Sequence, residues 1–189
     1  MRRASPPVLA WPALVVALGA ILACRPEPKA PDPAALVQKL KSHDATVSGA
    51  ASLELIRLGV PATPALVDLL HDPDPALRAL AARTFWGMGA RAESAAVPAL
   101  AEALGDADAS VRVGAAMALD NMGPSAGPAV PALIRALRDP YRKVRPWAAR
   151  ALVSIGPAAE AAVPALPRAG RLDGVEGPAE EAIRKIRTR

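Results

Sequence analysis

Residues 98–123 read PALAEALGDADASVRVGAAMALDNMG, and this stretch decides the fold because the chain repeats it. Residues 64–89, PALVDLLHDPDPALRALAARTFWGMG, precede it by 34 positions, and residues 131–156, PALIRALRDPYRKVRPWAARALVSIG, follow it by 33. Self-similarity at such a period marks a stack of supersecondary units, each of which buries its apolar face only against its neighbours. A degenerate copy lies at 34–59, with Leu36, Leu40, Asp44, Val47, Ala51, Leu55 and Leu58 in register. A fragment follows the last full copy and keeps Pro164, Leu166, Ala182, Ile183 and Ile186, which makes about four and a half copies.

Each copy parses into two helices. The first begins at a proline, whose missing N–H is not needed there, and carries leucines at helical spacing, such as Leu66, Leu69 and Leu70. It stops at a short Asp-rich turn. The second carries apolar residues at i, i+4, i+8 and i+11: Leu77, Ala81, Phe85 and Met88, then Val111, Ala115, Leu119 and Met122, then Val144, Ala148, Leu152 and Ile155. That spacing makes one buried stripe. Asp74 before Pro75 fits an N-cap with Pro at N1, and Asp108 can cap likewise. Gly89, Gly123 and Gly156 fit a left-handed cap after each second helix.

The pattern resembles HEAT repeats, in particular the subfamily named after phycobilisome lyases, whose mark is Asp-x-Asp-x-x-Val-Arg-x-x-Ala-Ala-x-x-Leu-x-x-(Met/Ile)-Gly. Here it reads Asp106, Asp108, Val111, Arg112, Ala115, Ala116, Leu119, Met122 and Gly123. The copy before it supplies Asp72, Asp74, Leu77, Arg78, Ala81 and Ala82; the copy after it supplies Asp139, Val144, Arg145, Ala148 and Ala149, with Tyr141 in place of the second Asp. The first copy departs, with Ser42 and Ser48 for the Asp and Arg, as suits a terminal cap. The resemblance covers roughly residues 34–165 and implies an all-α superhelical solenoid. It also implies that Asp72, Arg78, Asp106, Arg112, Asp139 and Arg145 form a structural ladder between stacked repeats. Their recurrence in each copy favours structure over acid–base chemistry, since an active site is made once.

Composition agrees with helices. The chain is 52% hydrophobic but has one Phe, one Tyr and three Trp, so its core is of small aliphatic side chains, which suit close helix packing better than a sheet. The formal net charge of +5 falls to +3 once Arg2 and Arg3 are set aside. So small an excess, without a concentrated basic stripe, argues against a nucleic-acid partner. His43 and His71 fall at turns without Cys or His partners at metal spacing, no Gly-rich phosphate loop or Gly-x-Ser-x-Gly elbow occurs, and neither catalytic residues, nor a metal, nor a cofactor is expected.

The first 23 residues have the layout of a secretory signal peptide: Arg2 and Arg3, then an uncharged run from Val8 to Ala23. That run is shorter than the roughly 20 residues of a spanning helix. Ile21-Leu22-Ala23-Cys24 resembles a bacterial lipobox, although Leu22 stands where Ala or Ser is commoner. The resemblance implies cleavage before Cys24 and lipidation of its thiol, the only one in the chain. Residues 24–33 form a Pro-rich tether, a semi-rigid spacer of roughly 30 Å, and 34–189 the repeat domain. Export across the inner membrane and a lipid anchor in the cell envelope, periplasmic or surface-facing, are therefore expected.

In HEAT-like stacks the concave face is lined by second helices. In the register of the repeats one row there is Leu53, Arg83, Met117 and Arg150; the next is Ile56, Trp86, Asp120 and Val153; a third is Arg57, Gly87, Asn121 and Ser154. Trp and Arg are common binding anchors, so Arg83, Trp86, Met117, Asp120, Asn121 and Arg150 are the candidate partner-binding residues. Trp147, aligned with Leu80 and Gly114, is as much a core filler as a contact. Residues 178–189 place Glu180 and Glu181 early and Arg184, Lys185, Arg187 and Arg189 late, which complements the helix dipole of a soluble cap. The expectation is a monomeric, non-catalytic scaffold that binds another protein. The alternatives are a regulatory or assembly subunit of an envelope complex and, from a different class, a lyase-type enzyme.

Overall fold

The structure, a computed structural model, describes residues 30–92, 94–169, 171 and 175–187. The expected signal peptide, Cys24 and nearly all of the expected tether lie outside the described residues. Residues Asp32–Arg189 form one unit. Its helices run in antiparallel pairs: α1 (Pro33–Leu40) with α2 (Ala45–Leu58), α3 (Thr63–Leu69) with α4 (Pro75–Met88), α5 (Val97–Ala103) with α6 (Ala109–Met122), and α7 (Val130–Ala136) with α8 (Val144–Ile155). A short α9 (Leu166–Ala169) and α10 (Glu176–Arg187) make the last pair, and α10 packs on α8. The described residues contain no strand. The result is an all-α solenoid.

Local sequence sets the helix ends. Asp44, Asp74 and Asp108 each accept the backbone N–H two residues on, at 2.8, 2.8 and 2.7 Å, so their carboxylates satisfy a donor that the helix leaves orphaned. Tyr141 cannot do this. Helix α8 accordingly starts at Val144 with no side-chain cap and has 12 residues where α4 and α6 have 14. At the other end Gly59, Gly89, Gly123 and Gly156 have φ of 66, 53, 60 and 71°. The expected left-handed helical cap is corrected in one respect: ψ is −130° at Gly89 and −134° at Gly123, the mirror image of the extended region rather than αL. Only glycine enters that region readily, and it turns the chain into the 3₁₀ linkers Gly89–Arg91, Gly123–Ala129 and Gly156–Ala162.

Two rows of large side chains fill the core between layers. Leu66, Leu100, Leu133 and Leu166 come from the first helices and Leu55, Phe85, Leu119 and Leu152 from the second, all fully buried. The second helices pack against one another along their length, while the first helices barely touch. Small residues allow the close approach. A Cβ on Gly114 would stand 2.9 Å from the Ala82 methyl, and Ala82, Ala116 and Ala149 have no exposed surface. Closer packing of α2, α4, α6 and α8 than of the first helices puts the second helices on the side that a solenoid's curvature makes the inner one. Open grooves of 250, 370 and 590 Å³ separate consecutive first helices on the outer side.

Candidate functional site

The charged ladder has a direction. Arg112 donates from Nε and Nη2 to the two carboxylate oxygens of Asp139 in the next repeat, at 2.8 and 3.0 Å, a forked pair. Its Nη1 donates to the backbone oxygens of Asp106 and Ala107, at 2.8 and 3.0 Å. Arg78 repeats the arrangement toward Asp106, at 2.7 and 2.9 Å, and toward the backbone oxygens of Asp72 and Pro73. The aspartate six residues before each arginine therefore offers its carbonyl, and the following repeat offers the carboxylate. Each carboxylate also holds its own turn, accepting the N–H of Asp74, Asp108 or Tyr141. The first rung is made by Lys41, which donates to Asp72 at 2.7 Å. Arg145 donates to the Asp139 carbonyl at 2.7 Å.

The electrostatics follow from these bonds. The Arg78 guanidinium holds the Asp106 carboxyl below its usual value despite burial, and hydrogen bonding to Asp106 raises Arg78 in turn. Lys41, with the Asp74 N–H, lowers Asp72, and Asp139 raises Arg112. Asp72, Arg78, Asp106 and Arg112 are thus favoured in their charged forms by the bonds they make, which suits cohesion between repeats. His71 sits on the outer side, with Nδ1 3.0 Å from the Val67 carbonyl and Nε2 3.5 Å from Glu102.

The inner face is the second constellation. The row Leu53, Arg83, Met117 and Arg150 runs along its middle. Leu53 is 64% exposed, Arg83 and Arg150 are exposed, and Met117 is half-buried. The Arg150 guanidinium stacks 4.6 Å from the half-buried Trp147 ring. The two further rows interlock across repeats. A Cβ on Gly87 would meet Ile56 at 2.5 Å, Asn121 Nδ2 donates to the Trp86 carbonyl at 3.0 Å, and Ser154 Oγ donates to Asp120 at 2.6 Å. Position 56, 86 or 120 of one repeat thus fits position 87, 121 or 154 of the next.

This interlock revises the role of Asp120. It is 7% exposed, and its carboxylate accepts from Ser154 and lies 3.4 Å from Arg150 Nη2, so it braces the stack and positions Arg150. Asn121 is exposed but spends an N–H on α4. Trp86 remains 40% exposed, and the bond it receives from Asn121 falls on its backbone oxygen and not on the indole. The sequence signal for these contacts was present: polar residues, Asn121 and Ser154, recur beside a glycine in one column of the repeat. Lys41 carries no such signal, because it lies seven positions before Ser48, which holds the arginine column in the first copy. Among the described residues no group of three His, Cys, Asp or Glu could hold a metal ion.

A family model described as HEAT repeats matches residues 63–152 and, overlapping them, 97–184. No curated protein matches the chain significantly. Among solved structures, the complex of CpcE and CpcF of phycocyanin lyase from Nostoc sp. PCC7120 aligns with TM-score 0.66 and 22% identity over 79% of this chain and 96% of that one. A designed armadillo repeat protein in complex with the peptide (KR)4 aligns with TM-score 0.62 and 18% identity over 81% of each chain. An engineered protein aligns with TM-score 0.56 and 26% identity over 82% of this chain and 79% of that one. At these identities the first two likenesses are of fold alone.

Proposed function

The chain belongs to the HEAT-repeat family, and from that premise we propose that it is a membrane-tethered, non-catalytic scaffold that binds another protein through the inner face of its second helices. The observation that carries this reading is the pairing of Leu53 and Trp86, 64% and 40% exposed, with an exposed Arg83 on that face. The other exposed large apolar side chains, Val47, Val60 and Tyr141, lie in a first helical turn, a linker and a turn, whereas Leu53 and Trp86 lie within second helices, where a partner on the inner face would cover them. The designed armadillo protein, which holds a peptide, and the CpcE–CpcF pair, in which two chains associate, are neighbours whose fold serves binding. The CpcE–CpcF pair also favours a second reading, an assembly or regulatory subunit within a larger envelope complex. The tether rests on Cys24 at the end of the apolar run.

Two experiments test the two halves. A photo-cross-linking side chain at Met117 should capture a defined envelope protein, and one at Arg135 on the outer side should not; equal capture from both would refute the assignment of the face. Cys24→Ser should leave an uncut precursor that no longer partitions into detergent as the wild type does. Identical partitioning and mass would refute the anchor.

A further inference from the structure

We infer that the partner presents a carboxylate flanked by bulky apolar side chains, which Arg83 receives on the inner face; this rests on the face proposed above and adds the chemistry of what it takes. Helices α2, α4, α6 and α8 carry six arginines and only two acids, Glu54 and Asp120. Both acids are spent: Glu54 pairs with Arg57 at 3.2 Å, and Asp120 holds Ser154 and Arg150. Arg78 and Arg112 are committed to the ladder, and Arg145 to the Asp139 carbonyl. Arg83 is the exposed arginine of this face for which no carboxylate of the described residues is in reach.

Its surroundings are apolar. Leu53 and Met117 occupy the same row on the flanking helices, about 8–10 Å away by the usual spacing of packed helices. Trp86 follows three residues along α4, and Leu80, half-buried, precedes it by three. A guanidinium amid apolar surface binds a carboxylate bidentately in a site from which water is displaced on contact, where such a pair is strongest. Arg150, stacked on Trp147 and partly neutralised by Asp120, offers a second, weaker basic position two helices on. The row therefore reads apolar, basic, apolar, basic. An extended segment of about nine residues would span four helices at that spacing.

The test is a selection of random displayed peptides of about ten residues against the full-length protein, read out by the affinity of the winners for wild type, Arg83→Lys, Arg83→Glu and Trp86→Ala. Circular dichroism of each variant checks that the fold persists. The expected winners carry Asp or Glu beside Leu, Phe or Trp. Their affinity should fall at least tenfold with Arg83→Glu and with Trp86→Ala, survive Arg83→Lys in larger part, and weaken as salt rises. Winners that are basic or uncharged, yet lost with Trp86→Ala, would overturn the acidic partner and leave the binding face standing. Winners indifferent to both Arg83→Glu and Trp86→Ala, or no winners, would overturn both. Binding of the Cys24→Ser protein to phosphatidylglycerol vesicles, abolished by Arg83→Glu, would assign the arginine to a membrane surface and overturn the inference.

Discussion

Replacing Arg112 by alanine removes the last charged rung of the ladder between repeats, and the structure allows its cost to be worked out. The Arg112 and Asp139 side chains are 12% and 6% exposed, so solvent screens the pair little. The substitution deletes two charge-assisted bonds to Asp139 and two to the carbonyls of Asp106 and Ala107. Asp139 keeps a single donor, the Tyr141 N–H at 2.8 Å, and stays buried with its charge uncompensated. Breaking a fully buried pair by removing one partner costs about 3–5 kcal/mol. The freed carbonyls face the open groove between α5 and α7, where water can reach them, so about 2–4 kcal/mol is expected. For a domain of this size that lowers the melting temperature by roughly 4–16 °C. Urea unfolding followed by circular dichroism would measure it, with the exposed Arg135→Ala as control. Adding Asp139→Asn to Arg112→Ala should recover part of the loss, because the stranded charge is then gone. A loss no greater than that of Arg135→Ala, or a double variant whose losses simply add, would refute the ladder as a source of cohesion.

Three further outcomes follow from named atoms. Thr63 is 2% exposed and its hydroxyl has no hydrogen-bond partner, while Val97, Val130 and Val163 fill the same position in later repeats. Thr63→Val should therefore raise stability by about 1–2 kcal/mol, measurable by urea midpoint, by relieving a buried unsatisfied group. Tyr141→Asp restores the missing cap and should add about 1 kcal/mol and protect the first turn of α8 from hydrogen exchange. Asp106 is held below the ordinary carboxyl value of 3.8 chiefly by Arg78. A depressed folded value means its contribution is complete above 3.8 and is lost as pH falls through the lower folded value. Stability should accordingly drop on acidification below about pH 4, and Asp106→Asn, less stable at neutral pH, should lose less over that interval.

Much of this architecture is legible in the sequence because a repeat states its message several times. Apolar stripes, N-capping aspartates and capping glycines each recur, so one ambiguous position is corrected by its equivalents. Tyr141 shows that departures are legible too: the missing acid shortens α8. What the sequence hides is the contact between repeats, since periodicity fixes which residues share a column and not which column meets which. Arg112 was separable from Asp106 only in three dimensions, where the carboxylate it needs belongs to the next repeat. Asp120 looked like a surface acid because its column holds Trp86 and Val153, and burial against Ser154 became visible only with the helices stacked. Which inner-face residues remain open depends on the same packing. That is why Arg83 and Trp86 stand apart from Asp120 in the structure, though Trp86 shares its column in the sequence and Arg83 lies on a neighbouring one.

The central claim, that the inner face binds a protein partner, is tested most directly by Trp86→Ala in the tethered, full-length protein. The indole is 40% exposed and no side-chain bond holds it, so helicity and melting should stay close to wild type. Co-purification of the protein captured by cross-linking at Met117 should fall at least tenfold, as loss of an interfacial anchor of about 2 kcal/mol implies. Undiminished co-purification at unchanged melting would contradict the account, and so would a large fall in melting temperature, which would make Trp86 part of the packing between repeats.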